Sequence, residues 1–162
     1  MTLAEAAAKA AGVTDARVLA ELRRDVDEDL EAAVRSADYR ERALGYRAIG
    51  QLRFAQKTEL LRRGLEDESP ACRGSALLSL ELLSRDHPGL VNAVRPLLHD
   101  LANADGNQAV RRLAVLALKN GSPSRDTVTL LEHIAAEEDE ERDLRAAARA
   151  TLAALKKKAA AR

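Results

Sequence analysis

Four arginines recur in matching company. Arg42 is followed by Gly45, Ala48, Ile49, Gly50 and Leu52, and Arg73 by Ala76, Ser79, Leu80 and Leu83. Arg111 is followed by Ala114, Ala117 and Leu118, and Arg145 by Ala148, Thr151, Leu152 and Leu155. A recurring guanidinium can grip the carboxylate or phosphate of a ligand, or acids of its own chain. Asp38, Asp67, Asp105 and Asp143 lie near these arginines. The expectation is therefore an internal ladder of ion pairs. The other residues capable of chemistry are few. His87, His99 and His133 fall in no His-x-x-x-His spacing. Cys72 is the single cysteine, so neither an intrachain disulfide nor a cysteine-based metal site can form. Its place among small apolar residues reads as a buried hydrophobe rather than a nucleophile. No Gly-x-Ser-x-Gly elbow and no glycine-rich phosphate loop is present. The chain is accordingly expected to be no enzyme, with no catalytic residues, no metal and no cofactor.

The elements that carry these residues are helices. Positions +3, +6, +7 and +10 after each arginine share one face of a 3.6-residue helix. Small residues there let a neighbouring helix approach, and the aliphatics fill the space beside the contact. Second apolar periodicities lie between the arginine helices: Leu60, Leu61 and Leu65; then Leu90, Val94, Leu97, Leu98 and Leu101; then Val128, Leu131, Ile134 and Ala135. First and second helices pair as hairpins that must stack to bury their apolar faces. The pattern predicts helices near 3–11, 15–24, 28–36, 39–52, 55–66, 70–84, 88–102, 108–120, 123–137 and 141–158, and no strand. Thr2 with Glu5 and Asp38 with Glu41 read as capping boxes. Ser69-Pro70 and Ser122-Pro123 read as an N-cap followed by a first-turn proline. Asn107 reads as a further cap, and Gly12 and Gly121 as terminators. Pro96 is expected to kink or restart its helix.

The 162 residues, 17.5 kDa, suit one domain. With 26 basic and 26 acidic side chains the net charge is zero, unlike the basic excess of a dedicated nucleic-acid binder. Tyr39, Tyr46 and Phe54 are the only aromatics, so the core must be built from Ala and Leu. No stretch approaches the ~18 uncharged apolar residues of a membrane span, and MTLAEAAAKAAG is no secretory signal. A cytoplasmic protein is expected. The charges are unevenly spread. Residues 35–63 hold eight bases against three acids, residues 132–143 seven acids against one base, and residues 25–31 are a second acidic stretch.

The recurring phrase, carried by residues 38–52, 67–83, 105–118 and 141–155, resembles the HEAT-repeat superfamily. It is most similar to the short HEAT-like repeats also found in phycobilisome-lyase-type proteins. Tetratricopeptide repeats have a fixed period and set aromatics that this chain lacks. The resemblance implies an all-α, right-handed α-solenoid of about four to five stacked hairpins. It implies a single HEAT-like domain over 1–162, with N-terminal capping helices in 1–36, repeats in 37–158 and a tail at 159–162. Deoxyhypusine hydroxylases of this superfamily hold iron through His-Glu dyads, and no His here precedes Glu. HEAT-like DNA glycosylases hold bases against aromatics, and there is no Trp. The expected function is a protein–protein interaction scaffold whose groove is lined by Arg53, Lys57, Arg62, Arg63, Asn92, Arg95, His99, Arg125, Thr129 and His133. Its partner would be a protein or peptide, acidic where it meets the basic end. Nucleic-acid binding through 35–63 is the alternative, and a bilin-lyase-like enzyme ranks below both. A monomer with weak, salt-sensitive self-association is expected.

Overall fold

The computed structural model describes residues 1–161 and holds ten α-helices, with no strand among the described residues. Its contacts divide the chain into two compact units, Met1–Leu83 and Ser84–Arg162. The first contains α1 (Leu3–Ala10), α2 (Ala16–Val34), α3 (Tyr39–Gln51), α4 (Thr58–Leu65) and α5 (Pro70–Ser84), which ends at the boundary. The second contains α6 (Pro88–Asn92), α7 (Arg95–Ala104), α8 (Gln108–Leu118), α9 (Arg125–Ala136) and α10 (Arg142–Ala160). The expected tail at 159–162 thus begins inside α10, and Arg162 lies outside the described residues. No helix among the described residues is long and apolar enough to cross a membrane.

Local chemistry explains most boundaries. Thr2 Oγ1 accepts from the Glu5 N–H at 3.1 Å and Glu5 Oε2 accepts from the Thr2 N–H at 2.8 Å, a complete capping box. Asp38 caps only through the Arg40 N–H, at 2.9 Å, so Glu41 closes no box there. Asn107 Oδ1 accepts from the Val110 N–H at 3.0 Å. Ser124, not Ser122, caps α9, because Pro123 stands before the helix rather than in its first turn. The expected single helix at 88–102 is two helices, since Pro96 lacks the N–H and clashes with the preceding turn. Conversely, the two helices expected at 15–24 and 28–36 are one. Leu19, Leu22, Val26, Leu30 and Val34 form a single buried stripe through the acidic stretch, whose Asp25, Glu28 and Asp29 face solvent. Neither Gly12 nor Gly121 adopts a positive φ. Gly121 is required for space instead: a Cβ there would lie 2.6 Å from Val91.

The left-handed position falls on Arg53, at φ 55°. The Arg53 N–H bonds Gly50 O at 3.1 Å and the Phe54 N–H bonds Ile49 O at 2.9 Å. This is a Schellman ending to α3, with Phe54 buried beneath it. Arg23 Nη1 donates to Leu52 O at 3.0 Å and satisfies another terminal carbonyl.

Small residues bring helices close, as the repeat pattern predicts. In the first unit α1, α2 and α3 pack on one another and α4 packs on α3. A Cβ on Gly45 would meet Val34 at 2.8 Å, and one on Gly64 would meet Tyr46 at 2.8 Å and Ala76 at 2.9 Å. At Gly50, Ser79 of α5 enters the α3 backbone. Its hydroxyl accepts from the Gly50 N–H at 2.9 Å and donates to Tyr46 O at 2.5 Å, the two groups an α-helix joins directly. In the second unit α7 packs on α8 and α9, and α10 on α8 and α9. Leu98, Ala114, Leu118, Leu131, Ile134 and Leu155 fill that core. Each large aliphatic there contributes about 1.5–3 kcal/mol of burial.

Candidate interaction surface

Three of the four recurring arginines bond to their own chain. Arg42 Nη1 donates to Ser36 O and Ala37 O, both at 3.1 Å, in the turn before its own helix. Its Nε and Nη2 reach the next turn and hold Asp67 at 2.9 and 3.1 Å. Arg111 repeats the arrangement: Nε donates to Ala102 O at 2.9 Å, and Nη1 and Nη2 clasp Glu140 at 2.7 and 2.8 Å. Arg73 Nη1 donates to Asp67 O at 2.9 Å and Glu68 O at 3.0 Å. The guanidinium thus satisfies the carbonyls at the end of one helix and the acid that opens the next. The partner differs from expectation at Arg111, where Glu140 rather than an aspartate is clasped. Asp143 comes only within 4.0 Å of Arg112. At Arg145 the Nε is buried without a hydrogen-bond partner.

These pairs set the local electrostatics. The hydrogen bond to Asp67 raises the Arg42 pKa. Burial acts to raise that of Asp67, but the Arg42 and Ser69 bonds outweigh it and hold it low. The Arg111 clasp holds Glu140 below its ordinary value. Cys72 is fully buried, and burial pushes its thiol upward.

Of the expected groove residues, five are hydrogen-bonded or ion-paired within their own unit, Arg53 and Asn92 while remaining exposed. Lys57 is held by two carboxylates. Its Nζ sits 2.6 Å from Glu31 and 2.9 Å from Asp27, above the Phe54 ring, with only 11% of the side chain exposed. Burial works against its charge, and the two carboxylates more than restore it. Arg53 Nη1 donates to Val13 O at 2.9 Å. Asn92 brackets Ser122: its amide donates to the hydroxyl at 3.0 Å, and its oxygen accepts from the N–H at 2.9 Å. Arg95 Nη2 bonds Asn92 Oδ1 and, at 3.0 Å, Ser122 O. His99 Nε2 lies 2.8 Å from Thr127 Oγ1, and burial and then Arg95 lower the His99 pKa against the weaker pull of Asp126 and Asp100.

The remaining candidates stay on the surface. Arg62 and Arg63 are exposed on α4, with Glu59 3.9 Å from Arg62. Arg125, Thr129 and His133 are exposed at successive spacings of four, one stripe along α9.

The basic excess of 35–63 shrinks in three dimensions. Asp27 and Glu31 of the other acidic stretch take Lys57, Glu31 also takes Arg35 at 3.1 Å, and Asp67 takes Arg42. The signal was present: Asp27 and Glu31 are four apart and share a face once α2 is one helix. Two clefts open to solvent in the first unit. One of about 640 Å³ is lined by Tyr39, Arg42, Glu68 and Ser69, among others. The second, of about 620 Å³, is lined by Arg23, Arg24, Asp27 and Phe54, among others. Among the described residues no group of three or more His, Cys, Asp or Glu is placed to hold a metal ion. No protein-family model matches the sequence, nor does any curated protein.

Proposed function

We propose that this chain is a HEAT-like interaction module, a right-handed solenoid of helical hairpins that binds an acidic protein or peptide segment in the cytoplasm and has no catalytic role. The carrying observation is the division of labour among its cations. Arg42, Arg111, Lys57 and Arg95 are spent on carboxylates, amides and carbonyls of the chain itself. Arg63 on α4 and Arg125 on α9 are exposed, and their guanidinium groups make no hydrogen bond or ion pair among the described residues. Side chains presented along the second helices in this way suit extended recognition of a partner strand or helix. Arg42 and Arg111 support the repeat reading, because each guanidinium bonds carbonyl oxygen before its own helix and a carboxylate in the turn that follows, 25 and 29 residues on.

Affinity capture from the native host, with mass spectrometry, tests the proposal. The wild-type chain is compared with R62E/R63E and with R125E/H133E. One acidic partner should be retained by the wild type and lost with one or both variants. Duplex DNA binding at micromolar concentration with a steep salt dependence would instead favour the nucleic-acid reading.

A further inference from the structure

We propose that the side-chain relay from Ser124 through Thr127 to His99 is an acid-sensitive latch on the first turn of α9. Ser124 is the N-cap: its hydroxyl oxygen accepts from the Thr127 N–H at 3.2 Å and its O–H is directed at Thr127 Oγ1, also 3.2 Å away. Thr127 is 1% exposed, and its Oγ1 lies 2.8 Å from His99 Nε2 on α7. With Ser124 donating to it, the single Thr127 hydroxyl hydrogen is left to donate to Nε2. That requires the unprotonated ring nitrogen, with the imidazole proton on Nδ1.

Protonation reverses the direction of this bond. Nε2 then becomes a donor, so it and the Ser124 hydroxyl both aim at Thr127 Oγ1. The Thr127 hydrogen loses its acceptor inside the α7–α9 contact, where an unmatched donor is costly. Either Ser124 rotates and loosens the cap, or His99 swings away from α9. The charged surroundings do not remove this cost. On α7, Arg95 repels an imidazolium and Asp100 attracts it; on α9, Asp126 attracts it; burial and Arg95 prevail. The two arginines of α8, which also packs on α7, are directed elsewhere: Arg111 to Ala102 and Glu140, Arg112 towards Asp143. In the unfolded chain the ring takes a proton near its ordinary value of 6.5. The unfolded or locally opened state therefore binds more protons, and the latch weakens as pH falls through and below that value.

The test uses the whole free chain and no partner, so it stands or fails apart from the binding proposal. Hydrogen exchange is followed at the amides of residues 125–130 between pH 7.5 and 5, expressed as protection factors corrected for intrinsic rates. Protection should fall several-fold in the wild type. It should stay level in H99Q, whose amide can serve Thr127 without titrating. An NMR titration of His99 in the wild type supplies a readout that needs no variant, and its midpoint should lie below 6.5. An equal loss of protection in H99Q, no loss in the wild type, or a His99 midpoint at or above 6.5 would each overturn the latch.

Discussion

At the residue scale, a side chain's job is decided by what lies across from it. Arg53 occupies a left-handed position that glycine fills most easily, and it is retained there with a bond to Val13. R53A should lose the bond and keep the strain, whereas R53G loses the bond and relieves it. R53G should therefore be the more stable of the two by about 1 kcal/mol, read from thermal melts. Arg111 is nearly buried and fully engaged, so R111M strands Glu140 and the Ala102 carbonyl and should cost about 3 kcal/mol. Glu140 sets a pH dependence. Its folded pKa lies below 4.5, so the unfolded chain takes up the proton first. The stability this clasp contributes is present above pH 4.5 and drains away as pH falls through the folded value. E140Q should lower the urea midpoint at pH 7 and flatten the response below pH 5.

At the element scale, close approach matters more than helix propensity. Alanine at position 50 would favour α3 by about 1 kcal/mol on propensity alone. Its Cβ, however, would lie 2.6 Å from Ser79 Cα, a backbone atom that cannot step aside without moving α5. G50A should therefore destabilise by about 1–3 kcal/mol. S79A should also destabilise, by about 1–3 kcal/mol, because the Gly50 N–H and Tyr46 carbonyl lose the hydroxyl that bridges them. The two sites share one contact, so G50A/S79A should cost clearly less than the sum of the single changes. Additive values in denaturant titrations would show that the seam between α3 and α5 has room to relax. A76L, opposite Gly64, should overpack the same unit by about 1–3 kcal/mol.

At the scale of the whole molecule, the charge asymmetry of the sequence becomes smaller and more local. The acids of 137–143 remain mostly exposed, with Glu140 taken by Arg111. The opposing bases are reduced by Asp27, Glu31 and Asp67. Charges on exposed groups beyond about 8 Å are screened at physiological salt. The expected behaviour is a monomer at micromolar concentration, with faint association that grows only as salt is withdrawn. Sedimentation velocity across a salt series checks this, and a dimer that persists at high salt would reveal an apolar interface instead.

Helical identity, the positions of most helices and the internal role of Arg42, Arg73 and Arg111 were legible in the sequence. These depend on periodicity and on short-range chemistry: the spacing of Leu98, Ala114 and Leu118 on buried faces, the Thr2–Glu5 box, the proline at 96. Cys72 and Ala76 were readable as core for the same reason. The gap expected at 25–27 is closed in the structure by the Val26–Leu30–Val34 stripe, which carries α2 through as one helix. What only the tertiary structure decided is pairing. Lys57, Arg95 and His99 looked like surface residues on second helices. Their fates rest on Asp27 and Glu31, on Asn92 and Ser122, and on Thr127, most of them about thirty residues away along the chain. A helix face specifies which residues point together. Which of them meet a partner depends on how one helix is set against the next, and that is fixed by small residues such as Gly50 and Gly121 admitting one neighbour at one distance.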